Sequence, residues 1–208
     1  MQEQVAWLLS VIAFAAAMSA TPGPTNTMVT ASGATWGFNR TLPHLLGISV
    51  GFPVMLVAVA LGAGELLRAN PWLHAALRWA GIGYLLWLAF KIASATPAMA
   101  GAEAGGARPM TFVQAALFQW INPKAWIIAV GAVVTHTTGA GGVLLVKSVV
   151  LAAVFFVATV VATGGWTLVG AGAGRLLRSA RALRRFNQGK AALLLLSLVP
   201  MVRESLGP

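Results

Sequence analysis

The chain has 208 residues, of which 58% are hydrophobic and only 9% are charged. A water-soluble domain carries about 25% charged residues because its surface must be hydrated. So little charge cannot cover a water-facing surface, which indicates that part of the solvent around this chain is lipid. The Lys and Arg residues that give the net charge of +10 lie between apolar runs. This pattern is typical of a membrane protein, in which such residues set the topology, and it argues against nucleic-acid binding.

The absence of cysteine excludes disulfides, thiol catalysis and cysteine metal sites. The three histidines lie far apart in the predicted topology, so we expect no metal site, and no motif indicates a cofactor. Residues 5–20 resemble a signal peptide, but no Lys or Arg precedes them. We therefore expect a retained first span.

Apolar runs in chain order predict an all-α polytopic membrane protein with six transmembrane helices. The predicted segments cover residues 5–33, 43–63, 71–93, 111–135, 143–173 and 188–206. The uncharged core of the sixth, Ala191 to Val202, has only 12 residues, so this segment needs Lys190 and Arg203 to reach towards the interfaces. We expect a single transmembrane domain, 1–208, with a first half at about 1–96, a flexible loop at 97–110 and a second half at about 111–208.

The first segment contains two prolines separated by one glycine, Pro22-Gly23-Pro24. As one straight helix, residues 5–33 would measure about 43 Å, longer than a hydrocarbon core of about 30 Å. Each proline removes a backbone donor and clashes with the preceding turn, so we predict a break there. The carbonyls that the break frees must face protein or a watery cavity.

The fourth segment has Pro123 at its centre, between Asn122 and Lys124. A lysine at the centre of a bilayer costs about 3 kcal/mol on insertion scales, so another group must offset it. No acidic residue is predicted at that depth. Two interpretations stay open: a bound anionic group such as a carboxylate, or a lysine that snorkels or caps the freed carbonyls.

The two breaks fall on the first helices of two halves with three spans each. A half with an odd number of spans re-enters in the opposite orientation, so the halves are predicted to be inverted repeats, with helices 1 and 4 broken at proline motifs. Interrupted helices at corresponding positions indicate a transporter binding site. The predicted substrate-binding residues are Thr21, Pro22, Gly23, Pro24, Thr25, Asn26, Gln119, Asn122, Pro123 and Lys124.

These motifs resemble those of the LysE/RhtB-type amino acid exporters. Residues 21–26 resemble the family's Pro-Gly-Pro motif, residues 81–88 its third-span Gly-x-x-Tyr-Leu block, and residues 112–125 its fourth-span Asn-Pro-Lys motif. The resemblance implies a six-span inner-membrane exporter that is a homodimer and is driven by a proton or ion gradient.

We therefore predict a secondary active transporter that exports amino acids or similar small zwitterionic metabolites by alternating access. With no Asp in the chain, the candidates for coupling are Glu65, His44 and Lys124. The distribution of Lys and Arg places both termini outside the cytoplasm. The alternatives are a membrane-embedded enzyme acting on lipid-like substrates, which would need a paired set of catalytic groups, and a channel or scaffold subunit.

Overall fold

A computed structural model describes residues 1–63, 69–94, 108–137 and 141–176, with separate residues between 182 and 199. Its helices are α1 (Gln2–Ala20), α2 (Pro24–Ala58), α3 (Pro71–Ser94), α4 (Phe112–Ile121), α5 (Pro123–His136) and α6 (Gly141–Leu176). A π-helical turn, Val59–Ala63, follows α2 directly. The described part of the chain contains no strand, which confirms the all-α prediction.

Among the described residues, three helices are long and apolar enough to cross a membrane. The pair α4 and α5, bent by 72° at their break, would make a fourth crossing. These spans agree with the predicted polytopic membrane protein. Glu65, residues 97–107 of the predicted flexible loop and most of the predicted sixth segment at 188–206 lie outside the described residues.

The long helix α2 folds back on itself at Gly37. The apolar stretch Pro24–Ala63 has 40 residues and would measure about 60 Å as a straight helix. Gly37 has a φ of 78°, which glycine adopts without steric cost. Across it, Thr41 Oγ1 donates to Ser32 Oγ at 3.1 Å, although a straight helix would separate these residues by about 13 Å. We call residues 24–36 the first arm and residues 38–58 the second arm.

The first arm continues the path of α1, and both run parallel to α6. Three contacts along these segments show the direction: Phe14 with Phe155, Ala20 with Trp166, and Thr30 with Gly170. Residue numbers increase together in these contacts, so α1 and the first arm form one line that is broken at residues 21–23. The predicted break of the first segment is thereby confirmed.

The second arm runs in the opposite direction along α6. Phe52 contacts Phe155 with ring centroids 5.2 Å apart, and Leu45 lies beside Gly164. Here the residue numbers of the second arm fall as those of α6 rise. The two arms are therefore antiparallel, and a one-residue turn joins them where the sequence predicted a connection of several residues.

Glycines bring the backbones of these helices close together. A methyl group added to Gly33, Gly170 or Gly174 would overlap backbone atoms of Thr167, Thr30 or Ala34 respectively. On the second arm, Gly47 and Gly51 lie in the same way against Phe112 and Ala116 of α4. Small residues four apart allow such approaches between membrane helices.

The line of α1 and the first arm lies antiparallel to the line of α4 and α5. Phe14 packs on His136, Thr21 accepts from Lys124, Thr25 accepts from Asn122, Met28 shares an apolar cluster with Phe118, and Val29 shares one with Ala115. The numbers rise on one line and fall on the other. The two broken helices therefore cross so that each break faces the other.

Candidate functional site

Four carbonyl oxygens in a row at the first break, those of residues 19–22, each accept from a side chain. Asn26 Nδ2 donates to the carbonyls of Ser19 at 2.8 Å and Thr21 at 3.0 Å. Trp166 Nε1 donates to Ala20 O at 3.2 Å. Lys124 Nζ donates to the carbonyls of Thr21 at 2.8 Å and Pro22 at 3.3 Å. The break is thus tolerated in an apolar chain because side chains replace the missing backbone donors.

Lys124 crosses from the second break to the first. Its side chain lies over Gly23, where an added methyl group would come within 2.8 Å of Lys124 Cδ. Of the two interpretations that the sequence left open, the contacts of this lysine with carbonyls show the capping arrangement. An ammonium has three donors, and the two carbonyls account for two of them.

The second break is closed by its own residues. Asn122 ends α4 and begins α5, and its Oδ1 accepts from the Lys124 amide at 3.2 Å. The Nδ2 of Asn122 donates to Thr25 Oγ1 at 3.0 Å. Trp126 Nε1 donates to Trp120 O at 2.8 Å. Asn is a favoured N-cap because its side chain accepts from an amide that the helix leaves without a partner.

A cavity lies between the two breaks, the second arm and α6. It encloses about 450 Å³ of empty space, including the space at its open side. Its polar lining consists of Ser19, Thr25, Asn26, Gln119, Asn122, Lys124, Thr159 and Thr163. Its apolar lining consists of Met18, Ile48, Phe52, Ala125, Ile128 and Phe155, and Gly23 completes the set.

The structure brings together six of the residues predicted from the sequence: Gly23, Thr25, Asn26, Gln119, Asn122 and Lys124 all line the cavity. The other four, Thr21, Pro22, Pro24 and Pro123, lie at the breaks and are not part of its lining. Thr21 and Pro22 act through their carbonyls, and the two prolines begin the helices that follow.

Sequence reasoning missed the contribution of α6. Thr159, Thr163 and Thr167 are all buried, and the first two line the cavity. Their spacing of four places them on one helix face, which is the signal that would have found them. The hydroxyls of Thr163 and Thr167 donate to carbonyls one turn earlier, both at 2.6 Å.

The coupling candidates fall in three different places. Lys124 is in the cavity, and Glu65 lies outside the described residues. His44 lies on the second arm, is 2% exposed, and has no hydrogen-bond partner at either ring nitrogen among the described residues. The described residues contain no cluster of His, Cys, Asp and Glu that could hold a metal ion.

The chain matches the LysE type translocator family over residues 16–199, which is most of its length. It belongs to that family. The resemblance of its proline motifs is thereby confirmed, and the chain is a member of a class of transport proteins and not of enzymes. No solved structure matches it.

Several curated relatives share part of the sequence. The chain is 32% identical over 115 residues to proteins named cysteine/O-acetylserine efflux protein in Escherichia coli O157:H7 and Escherichia coli strain K12. A protein of the same name in Escherichia coli O1:K1 is 31% identical over the same length. Each match covers 55% of this chain and 57% of the relative, so the chain spans little more than half the length of these relatives.

Proposed function

We propose that the protein exports small zwitterionic amino acids across the plasma membrane by alternating access, with the cavity between the two breaks as its substrate site. The observation that carries this proposal is the position of Lys124. A half-buried ammonium links the two broken helices in a cavity lined by both polar and apolar residues. An α-amino acid offers the matching groups: a carboxylate, an ammonium and a side chain.

The substrate carboxylate would bind at the start of the first arm. This helix begins at Pro24, and the amides of Thr25 and Asn26 have no carbonyl partner within it because an N-terminal turn lacks one. The positive end of the helix dipole and the third donor of Lys124 favour an anion in the same place. The start of α5 at Pro123 adds a second positive helix end.

The substrate ammonium would bind to the side-chain amide oxygens of two residues that line the cavity, Asn26 and Gln119. The Nδ2 of Asn26 is occupied by backbone carbonyls, which leaves its Oδ1 to accept. The Nε2 of Gln119 donates to Ala115 O at 3.1 Å, which likewise leaves Oε1. Thr159 and Thr163 of α6 line the same cavity, and Phe52 and Phe155 would contact the substrate side chain.

The proposed architecture has six spans in two inverted halves, about 1–96 and 111–208 joined by the loop 97–110. The antiparallel crossing of the two broken helices supports it, because related halves of opposite orientation pair in this way. We further propose that the protein is a homodimer and that both termini lie outside the cytoplasm. Reporters fused to each terminus would test this orientation, and a cytoplasmic signal from either would contradict it.

The test of the proposed function is transport by the purified chain in liposomes. We expect saturable uptake of radiolabelled cysteine or O-acetylserine, the compounds in the names of the relatives. The amine that cysteine gives on loss of its carboxylate should not be transported, because it lacks the group that Lys124 and the first arm would bind. Equal transport of the amine, or no transport of any amino acid in a broad panel, would refute the proposed site.

The variant Lys124→Gln separates the charge of this residue from its capping role. Glutamine keeps donors for the carbonyls of Thr21 and Pro22, so the protein should still fold. We expect transport to fall by about 10- to 100-fold, since a hydrogen bond to a charged group contributes about 1.5–3 kcal/mol. Lys147→Gln makes the same chemical change in α6 away from the cavity and should transport normally. Normal transport by Lys124→Gln would remove the charge from substrate binding.

A further inference from the structure

His44 lies between the cavity and the turn at Gly37. It shares one face of the second arm with Ile48 and Phe52, since the three residues follow at intervals of four. Ile48 and Phe52 line the cavity, so His44 lies one turn, about 6 Å, beyond its edge. The adjacent residue Leu45 lies beside Gly164 of α6, which places this turn level with the threonines of that helix.

The imidazole is buried without polar partners. A neutral ring carries one N–H donor and one acceptor, and both nitrogens lack a partner among the described residues. Most buried polar side chains are hydrogen-bonded, and an exception calls for a role or a water. Leucine would serve better for apolar packing alone, so the ring nitrogens are expected to exchange a proton with their surroundings.

Buried hydroxyl groups lie on both sides of this histidine along the helix. Towards the turn at Gly37, the Thr41 hydroxyl donates to Ser32 Oγ at 3.1 Å, and both residues are buried. Towards the cavity, Thr163 of α6 is 1% exposed and lines the cavity wall. Hydroxyls both donate and accept, so buried groups that can pass on a proton lie both towards the turn and towards the cavity from His44.

In the described elements packed around His44, the other charged side chains are not placed to exchange a proton in its stead. The first arm and α4 contain no titratable residue. In α6, Lys147 lies about 25 Å from Gly164 along the helix, and Arg175 lies about 16 Å from it in the other direction. On the second arm itself, Arg40 is exposed. In α5, Lys124 is bonded to the first break.

We infer that His44 carries the proton that couples export to a proton gradient, an inference that rests on the proposed function. The ring nitrogen without hydrogen takes up a proton from one side of the membrane to give imidazolium. It returns the proton on the other side, which restores the neutral ring, while one substrate moves in the opposite direction. No covalent bond to the substrate forms, and no redox partner is needed.

The test compares two modes of transport in liposomes that contain the full chain. In exchange without a gradient, labelled cysteine replaces unlabelled cysteine, which needs binding and alternating access but no net proton movement. In the second mode, an imposed pH gradient drives accumulation above equilibrium.

His44→Gln should keep exchange within about twofold of the unchanged protein and lose accumulation, with a ratio of inside to outside cysteine concentration near one. His136→Gln is the matched control, because this histidine is also buried but contacts Ala132 O at 3.2 Å, and it should keep both modes.

Each outcome separates this inference from the proposed function. Accumulation by His44→Gln at the level of the unchanged protein would overturn the inference, as would loss of both modes in a folded variant. Exchange without gradient-driven accumulation in the unchanged protein would also overturn it while leaving an exporter. No exchange by the unchanged protein would instead defeat the proposed function. If His44→Gln fails to fold, histidine-labelled unchanged protein provides the readout: the ring signal of His44 should change protonation when cysteine is added, and a constant signal would overturn the inference.

Discussion

The two breaks of this protein solve the same backbone problem in different ways. At the second break, the unpaired backbone groups find local partners: Asn122 Oδ1 accepts from the Lys124 amide, and Trp126 Nε1 donates to Trp120 O. At the first break, the donors come partly from far along the chain, from Lys124 and Trp166. The second break is therefore a platform whose backbone groups are partnered by its own residues, whereas the first also depends on Lys124 of α5 and Trp166 of α6.

This difference indicates which of the two breaks changes shape during transport. A platform that closes its own hydrogen bonds keeps its shape when its surroundings move. A break held by remote side chains changes when those side chains leave, for example when a substrate carboxylate competes for Lys124. We expect the first break to rearrange during transport and the second to hold its shape.

The largest effect is expected from Gly170→Val. The added side chain would collide with the Thr30 carbonyl, push α6 away from the first arm and withdraw Trp166 from Ala20. Overpacking of this kind costs about 3 kcal/mol, and unfolding in detergent with a denaturant would measure it. Gly172→Val is the control, because no atom lies near that glycine. Equal stability of the two variants would mean that the first break does not depend on α6.

The second prediction compares the two asparagines directly. Asn26→Ala leaves the Ser19 carbonyl without a partner and should lower the free energy of unfolding by about 2 kcal/mol. Asn122→Ala removes an N-cap, which costs about 1 kcal/mol. Unfolding of both variants under the same conditions gives the ranking. The reverse order would show that the second break is the more dependent of the two.

The smallest effect on stability is expected from Gly23→Ala. Gly23 has an extended φ of −174°, which any residue adopts, so only the contact with Lys124 opposes the methyl group. The flexible end of the lysine can yield, and stability should change by less than about 1 kcal/mol. Transport should fall about tenfold, because displacing a binding group by about 1 Å costs at least that much.

The matched control for this substitution is Gly131→Ala. It lies in the same helix as Lys124 and has open space around it. Both variants would be compared in the liposome assay at a substrate concentration below saturation. Unimpaired transport by Gly23→Ala would show that the position of the lysine over the first break is not critical.

The breaks themselves could be predicted from the sequence because proline acts locally. Pro22, Pro24 and Pro123 each remove a donor whatever surrounds them, and all three lie where the structure interrupts its helices. The turn at Gly37 could not be singled out in the same way. Gly33 and Gly47 are equally permissive, and only the packing of the two arms decides which glycine turns.

Partners that are distant in sequence were the harder part of the site. The sequence left Lys124 without an evident protein partner, because its partners are backbone carbonyls about a hundred positions earlier, and carbonyls leave no mark in composition. Thr159 and Thr163 escaped attention for a related reason. A threonine in an apolar helix can bond to its own backbone, so only the cavity beside it reveals a second use.

The one-residue turn at Gly37 has a mechanical consequence. The first arm carries the break that would bind the substrate, and the second arm carries His44. Because no loop separates them and the Ser32 and Thr41 hydroxyls are hydrogen-bonded across the turn, we expect a tilt of one arm to move the other. The two arms behave as the two limbs of one lever. Protonation of His44 on the second arm would then move the first arm directly. The transporter would need no further element to connect proton uptake with substrate movement.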